Sequence, residues 1–199
     1  MKLLHIDSSI SGANSVSRKL GARIVERLTA RHPGLEVTYR DLIADPVPHH
    51  TAELWTAKRT GAAGPAHQAD FDAINATLEA FLAADIVVVG APMYNFGIPS
   101  QLKAWMDCVM VAGRTFRYTA AGPEGLAGDK RLIIASARGG AYTPGSPMQA
   151  LDYQETYLTS FFGFLGITNI EFVRAEGMAF GPDVATPAVE AALAQADSL

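Results

Sequence analysis

The chain has 199 residues, of which 49% are hydrophobic and 18% charged, a composition that indicates a globular protein and excludes a largely disordered one. Its formal net charge of −4 gives no support for general nucleic-acid binding, which needs a basic surface. The apolar stretches Ile86–Pro92 and Phe161–Ile167 are too short to span a bilayer and the N-terminal segment is too polar for a signal peptide, so we expect one cytoplasmic domain over residues 1–199.

Strand-like and helical patterns alternate along the first part of the chain. Residues 2–6 predict a first strand, and apolar residues at helical spacing over 20–28 predict a helix that ends at His32-Pro33-Gly34. The alternating segment 35–40 predicts a second strand. A short helix is expected at 52–58, inside a stretch rich in Pro, His, Gly and Ala.

The same alternation continues to the end of the chain. The further predicted elements are a helix over 71–82, a strand at 85–91, a helix over 102–110, a hairpin-like excursion at 115–127, a strand at 131–137, a helix over 151–165, a strand at 168–175 and a helix over 187–196. Five strands separated by helices predict a doubly wound parallel α/β sheet with helices on both faces. In the strand order 2-1-3-4-5, the loops after strands 1, 3 and 4 meet at one end of the sheet.

The first of these loops, loop A (Asp7–Arg18), is rich in hydroxyl groups and leads into a helix. The free N–H groups and positive dipole end of a helix N-terminus favour a phosphate monoester. We expect Ser9, Ser15 and Ser17 to add hydroxyl donors and Arg18 to add charge. A serine N-cap after a polar loop explains the same residues about equally well, so loop A alone does not define a site. It contains neither the dinucleotide Gly-x-Gly-x-x-Gly motif nor a nucleotide-binding P-loop.

The second loop, loop B (Met93–Pro99), combines an amide with soft and aromatic side chains. Asn95 offers both a donor and an acceptor for the polar edge of a flat ring. Met93, Tyr94 and Phe96 offer surface for its face. A turn in which Met93 and Phe96 fill the core is the alternative, but it leaves Tyr94 and Asn95 unexplained.

The third loop, loop C (Ala137–Tyr142), contains the pair Gly139-Gly140. Paired glycines expose backbone N–H groups and let the main chain approach a ligand. Aimed at the N1/O2 edge of a flavin, such donors would stabilise negative charge there. Considered alone, loop C reads as a plain Gly-Gly turn with a solvated Arg138.

Cys108 and Arg114 have the Cys-x5-Arg spacing of protein tyrosine phosphatases. Cys108 falls within a helical pattern rather than a phosphate-binding loop, so we interpret it as a packing residue. No spacing of Cys, His, Asp or Glu predicts a metal site.

Taken together, the three loops and several further motifs resemble a known family. The matching segments are Ser9…Ser15-x-Ser17, Ala91-Pro-Met-Tyr-Asn-Phe96, Thr115-Phe-Arg-Tyr118, Gly122-Pro-Glu-Gly125, Arg138-Gly-Gly140, Gly163-Phe-Leu-Gly-Ile167 and Ala175-Glu-Gly177. Their order and spacing are similar to those of the FMN-dependent NADH azoreductases, also classed as NADH:quinone oxidoreductases, of the flavodoxin-like group. The similarity runs over nearly the whole chain.

The resemblance implies a homodimer with one tightly but noncovalently bound FMN per subunit and active sites at the dimer interface. The FMN contacts it implies are Ser9, Ser15, Val16, Ser17, Met93, Tyr94, Asn95, Phe96, Ala137, Arg138, Gly139 and Gly140. It also implies substrate-binding roles for Arg59, Tyr118 and Phe164, some of them reaching in from the partner subunit. Two positions depart from the family pattern: Ala137 replaces a frequent hydroxyl residue, and Tyr142 stands where histidine is expected.

The activity implied by the resemblance is a ping-pong reaction in which NADH passes hydride to FMN, followed by two-electron reduction of quinones or cleavage of aromatic azo compounds to amines. The cofactor carries the redox chemistry, so no side chain is assigned as catalytic. The alternative is a flavodoxin-like electron carrier that passes single electrons to protein partners. The net charge of −4 supports a carrier only weakly, and the segments 41–65 and 113–130 suit an active-site wall better than an open docking face.

Overall fold

The computed structural model describes all residues, 1–199, and its centre is a five-stranded parallel sheet. The strands are β1 (Lys2–Asp7), β2 (Glu36–Asp41), β3 (Ile86–Pro92), β4 (Phe116–Thr119), β5 (Gly122–Gly125), β6 (Arg131–Ala137) and β7 (Ile170–Ala175). The helices are α1 (Val16–Arg31), α2 (Ala52–Thr60), α3 (Gln68–Ala83), α4 (Ser100–Val109), α5 (Tyr153–Phe164) and α6 (Pro182–Ser198). The sheet order is β2-β1-β3-β6-β7, and β4 and β5 form a separate antiparallel hairpin.

Helices cover both faces of the sheet, which explains why all seven residues of β3 are buried. On one face, apolar side chains of α3, α4 and α5 form the larger core cluster around Trp105, which packs edge-on against Phe81 at 5.7 Å. On the other face, α1 and α6 pack together over a smaller cluster that includes Leu20 and Ala192. The helices on the two faces do not cover the carboxyl ends of the strands, where loops A, B and C lie.

The predicted doubly wound fold and its strand order are confirmed, because the hairpin simply interrupts the chain between the third and fourth strands of the sheet. The prediction of an excursion at 115–127 is confirmed as the hairpin β4–β5. The start of the last helix was predicted wrongly: α6 begins at Pro182, and Pro187 lies inside it. Proline at the first helical position needs no N–H partner, so Pro182 starts the helix and Pro187 costs it one internal hydrogen bond.

None of the helices is both long and apolar enough to cross a membrane.

Candidate functional site

Loops A, B and C surround one open cavity of about 210 Å³ at the carboxyl end of the sheet. Its lining contains most of the residues predicted to contact a cofactor: Ser9, Ser15, Val16, Ser17, Met93, Tyr94, Ala137, Arg138 and Gly139. Ser11, Asn14, Pro92 and Met178 also line it, and the sequence interpretation missed them. The first three belong to or border the loops already singled out, whereas Met178 comes from the segment after β7, which carried no motif for such a role.

Loop A places the start of α1 at this cavity. The Ser15 hydroxyl oxygen accepts the N–H of Arg18 at 3.2 Å and so caps the helix, as the N-cap alternative predicted. It also lies 3.1 Å from the hydroxyl of Ser17, which is buried. The N–H groups of Val16 and Ser17 are in the first turn, where no intrahelical acceptor exists. Ser15 therefore caps the helix, and the N–H groups of Val16 and Ser17 still remain as donors at the positive end of the helix dipole.

Loop B is held to loop A by the phenol of Tyr94. Its oxygen lies 3.2 Å from the Ser9 hydroxyl and accepts the N–H of Ile10 at 3.1 Å. Asn95 and Phe96 adopt φ values of +48° and +70°, in the left-handed region that non-glycine residues seldom occupy. Both are exposed and neither lines the cavity. Strain of this kind is concentrated at ligand-binding sites, so the backbone of loop B agrees with a functional role.

Loop C is fixed by the segment after β7. The carbonyl oxygens of Arg138, Gly139 and Gly140 accept the N–H groups of residues 178, 179 and 177, at 3.0 Å each. The N–H groups of Gly139 and Gly140 have no acceptor within the protein. Loop C thus has its carbonyls tied to the neighbouring segment and carries two main-chain donors that the protein itself does not use, of which that of Gly139 is at the cavity wall. Gly140 itself does not line the cavity, and the ring of Tyr142 packs beside it.

The side chain of Arg138 is fully buried, so the alternative of a solvated arginine is wrong. Its guanidinium forms ion pairs with Asp152 at 3.0 Å, with Glu176 at 3.1 Å and with Glu155. Glu176 also accepts the N–H of Tyr142 at 2.8 Å and the Thr143 hydroxyl at 2.9 Å. Arg138 thus lines the cavity as a residue, while its guanidinium is held by three carboxylates and so anchors loop C.

Arg18 does not line the cavity of loops A, B and C. Its guanidinium binds both carboxylate oxygens of Asp41, each at 2.7 Å, and this hydrogen bonding lowers the pKa of the Asp41 carboxyl. It also donates to the main-chain oxygen of Ser9. In this arrangement the Arg18 guanidinium is engaged by Asp41 and Ser9, whereas the expectation was that it adds its charge directly to a phosphate.

The three residues implied to bind substrate do not line this cavity within one chain. Tyr118, on β4, is 75% exposed, and Phe164 lies at the end of α5. Both rings contact Phe116, at centroid distances of 5.5 and 5.0 Å. Arg59 is exposed on α2. The structure thus places Tyr118 and Phe164 against the same ring, that of Phe116, while Arg59 lies on a different element, α2.

Cys108 is fully buried in α4, which agrees with its interpretation as a packing residue. Burial raises the pKa of its thiol to about 11, so a reactive thiolate is disfavoured near neutral pH.

A doubly wound parallel sheet with its binding loops at the 2-1-3 switch point is the arrangement of flavodoxin-like proteins. The chain belongs to that family, since the family model described as flavodoxin-like fold matches residues 1–199. Among its relatives, the FMN-dependent NADH:quinone oxidoreductase of Bradyrhizobium sp. (strain BTAi1) is 55% identical over 199 residues, which is 100% of this chain and 99% of the relative. The enzyme of the same name from Rhizobium meliloti (strain 1021) is 58% identical over 184 residues, 92% of this chain and 89% of the relative.

Solved structures agree with these sequence relatives. The crystal structure of azoreductase from Bacillus anthracis str. Sterne superposes with a TM-score of 0.92 at 32% identity, covering 100% of this chain and 97% of the other. An FMN-dependent NADH-azoreductase from B. anthracis str. Ames Ancestor, crystallised in complex with FMN, gives a TM-score of 0.89 at 29% identity, covering 99% and 96%.

Proposed function

We propose that this chain is an FMN-dependent oxidoreductase that takes electrons from NADH and delivers them to quinones and aromatic azo compounds. The observation that carries the proposal is the meeting of free N–H donors from loops A and C at one cavity, beside which Tyr94 links loop B to loop A. The names of its relatives supply the substrate classes, NADH, quinones and azo compounds. FMN, when bound, supplies two-electron chemistry between the nicotinamide donor and the acceptor.

The donor set fits FMN at both ends of that molecule. The first turn of α1, with the hydroxyls of Ser9, Ser15 and Ser17, suits the phosphate. The free N–H of Gly139, at the cavity wall, suits the electron-rich edge of the ring and would stabilise negative charge on it. The free N–H of Gly140 would add to this only where the ring extends past the cavity lining. Met93 and Tyr94 would contact the ring face, and Asn95 and Phe96 would lie at its outer edge.

The cavity of about 210 Å³ is smaller than the range of about 300–1,000 Å³ usual for small-molecule sites. One chain would then enclose only part of FMN, and we propose that this part is the phosphate and the sugar-alcohol chain, with the ring left partly open. We propose that a second copy of the chain completes the wall in a homodimer. Arg59, Tyr118 and Phe164 would then contact the substrate from two subunits. Lys58 donates to the main-chain oxygen of Asp107 at 2.6 Å, so the helix that carries Arg59 is fixed on α4.

The proposed reaction is ping-pong: NADH and the acceptor use the same open face in turn, and the protein binds, orients and shields them. Steady-state kinetics with both substrates varied should then give parallel lines in double-reciprocal plots. Intersecting lines would contradict a shared site. A cytoplasmic location, where NADH is available, belongs to the same proposal.

The deciding experiment is the anaerobic visible spectrum of the FMN-loaded protein after addition of NADH and then of a simple quinone. We expect NADH to bleach the flavin bands and the quinone to restore them. A flavin spectrum that neither NADH nor NADPH changes would contradict the reductase and favour an electron carrier. Size-exclusion chromatography with light scattering tests the dimer separately, and a monomer would overturn that part of the proposal.

A further inference from the structure

Every N–H donor of the Arg18 guanidinium is already used by the protein. Nε and one N–H of Nη2 donate to the main-chain oxygen of Ser9, at 3.2 and 2.9 Å. The other N–H of Nη2 and one of Nη1 bind the two oxygens of Asp41. The remaining N–H of Nη1 faces the hydroxyl of Tyr39 at 3.3 Å. A guanidinium has five such donors, so none remains for a phosphate in this arrangement.

The Ser9 contact lies in a part of loop A where three consecutive residues are hydrogen-bonded to other elements. Ser8 donates its hydroxyl to the oxygen of Gly90 at 2.6 Å, and Ile10 donates its N–H to Tyr94. Between them, the Ser9 carbonyl points to Arg18 while its hydroxyl faces Tyr94. Because Arg18 binds the Ser9 carbonyl oxygen on one side, the Ser9 hydroxyl is kept on the other side, at the cavity.

The surroundings of Arg18 carry more negative than positive charge. Asp7 lies 3.7 Å from Nη1 and accepts the Tyr39 hydroxyl at 3.0 Å, and Asp41 binds the fork from the other side. Two carboxylates thus face one guanidinium whose side chain is only 17% exposed. The cluster of Arg18, Asp7 and Asp41 has no net positive charge that would attract an anion. The bidentate contact with Asp41 instead fixes the orientation of the guanidinium.

We propose that Arg18 is a positioning residue for the phosphate end of the cofactor site: it holds the Ser9 carbonyl, and Asp41 orients it for that task. This rests on the proposed binding of FMN. Loop A then binds the phosphate ester through hydroxyl and backbone N–H groups, while the nearest guanidinium shapes the loop without touching the ligand.

Two substitutions separate this role from that of a phosphate ligand. Asp41→Asn removes the anchor, and we expect it to weaken FMN binding about tenfold, since hydrogen bonds to charged groups are the stronger ones in proteins. If Arg18 were a phosphate ligand, the same change would free its donors and tighten FMN binding. Arg18→Lys keeps the charge but loses the fork, and we expect a similar weakening; unchanged affinity would overturn the proposal.

The measurement is flavin fluorescence quenching on titration of the full-length protein, freed of flavin, with FMN and with riboflavin. Riboflavin lacks the phosphate, so its affinity should change less than about twofold in both variants if only the phosphate end is disturbed. Loss of both affinities in parallel would indicate general damage and contradict the positioning role. Arg23→Gln is the matched control, because Arg23 lies on the same helix and pairs with Asp197 and Glu26 instead.

The salt dependence of flavin binding tests the same proposal on the unmodified protein, so this test does not depend on whether a variant folds. If Arg18 paired with the phosphate, the FMN-to-riboflavin affinity ratio would fall steeply as salt rises. We expect the ratio to change less than about threefold between about 0.05 and 0.5 M salt, and a steeper fall would overturn the proposal. If the unmodified protein binds neither flavin, the proposed function itself fails, which is a different result from either outcome for Arg18.

Discussion

The phenol oxygen of Tyr94 lies 3.2 Å from the hydroxyl oxygen of Ser9 and joins two loops that are 85 residues apart in sequence. The backbone pairing of β1 with β3 ends at Asp7 and Gly90, so it does not extend to this point. Past the last paired residues, the distance between loops A and B is therefore set by side-chain contacts such as that of Tyr94 with Ser9. A site whose walls are fixed before the ligand arrives loses less entropy on binding.

We predict that Tyr94→Phe weakens FMN binding about three- to tenfold, because a lost hydrogen bond is worth about 1 kcal/mol. The unfolding free energy should change by less than about 1 kcal/mol, since the ring remains in place. Flavin fluorescence titration and thermal unfolding measure the two effects. Tyr153→Phe is the control, because Tyr153 is 60% exposed and its hydroxyl makes no hydrogen bond. FMN affinity equal in the two variants would contradict the role given to Tyr94.

The inner strands of the sheet could be predicted from sequence because they are apolar on both faces. The third strand was expected at 85–91 and is found at Ile86–Pro92, and the fourth matches at Arg131–Ala137. Apolar runs of this kind are a local pattern, so they can be read from the sequence without knowing the fold. The start of α6 was misplaced because Pro182 and Pro187 both carry the local signal of a helix start, and only the packing of α6 on α1 separates them.

The cavity could be predicted in outline, since loops that follow neighbouring strands must meet at the switch point. Its supporting ion pairs could not. The acidic partners of Arg138 lie 14 to 38 residues further along the chain and on different elements. No local pattern indicates which carboxylates will meet a given arginine, so Arg138 looked like a solvated residue and Glu176 was missed.

The buried pair of Arg138 and Glu176 gives a prediction on stability. We expect Glu176→Gln to lower the unfolding free energy by about 2–4 kcal/mol, because removing one charge leaves a buried guanidinium with less compensation. FMN affinity should fall as well, since Glu176 also holds the N–H of Tyr142 in loop C. Chemical denaturation and flavin titration are the measurements.

The matched control is Glu171→Gln, which weakens an even shorter ion pair, 2.6 Å with Arg131, at a partly exposed position. Exposed pairs contribute only about 0–1 kcal/mol, so this variant should resemble the unmodified protein. Equal destabilisation by the two substitutions would contradict the structural role of Glu176.

Cys108 should resist thiol reagents in the folded protein. Burial raises its pKa to about 11, so the thiolate that reacts is scarce until the pH approaches that value, and the side chain is inaccessible in any case. We expect alkylation by iodoacetamide at about pH 8 to be at least about a hundredfold slower than in denaturant. Mass spectrometry over time measures both rates. Rapid modification of the native protein would show that α4 opens or that the thiol is not buried.

The last prediction concerns the hairpin that carries Tyr118. Gly125 packs directly on the peptide between Leu165 and Gly166, and a Cβ at Gly125 would overlap that backbone. The hairpin is also tied there by the Ala127 N–H, which donates to the Leu165 oxygen at 2.9 Å. Gly125→Ala must therefore shift the hairpin, and we expect a loss of about 1–3 kcal/mol of unfolding free energy, the usual effect of overpacking.

Because Tyr118 is proposed to contact the substrate, the same variant should raise KM for quinone while leaving FMN affinity within about twofold, as the cofactor loops are untouched. Gly163→Ala is the control: nothing lies within 4 Å of a Cβ there, and alanine favours the helix α5 that contains it. Steady-state kinetics and thermal unfolding distinguish the two variants. If Gly125→Ala weakens FMN binding but leaves KM for quinone unchanged, the hairpin supports the cofactor rather than the substrate, and the role proposed for Tyr118 is wrong.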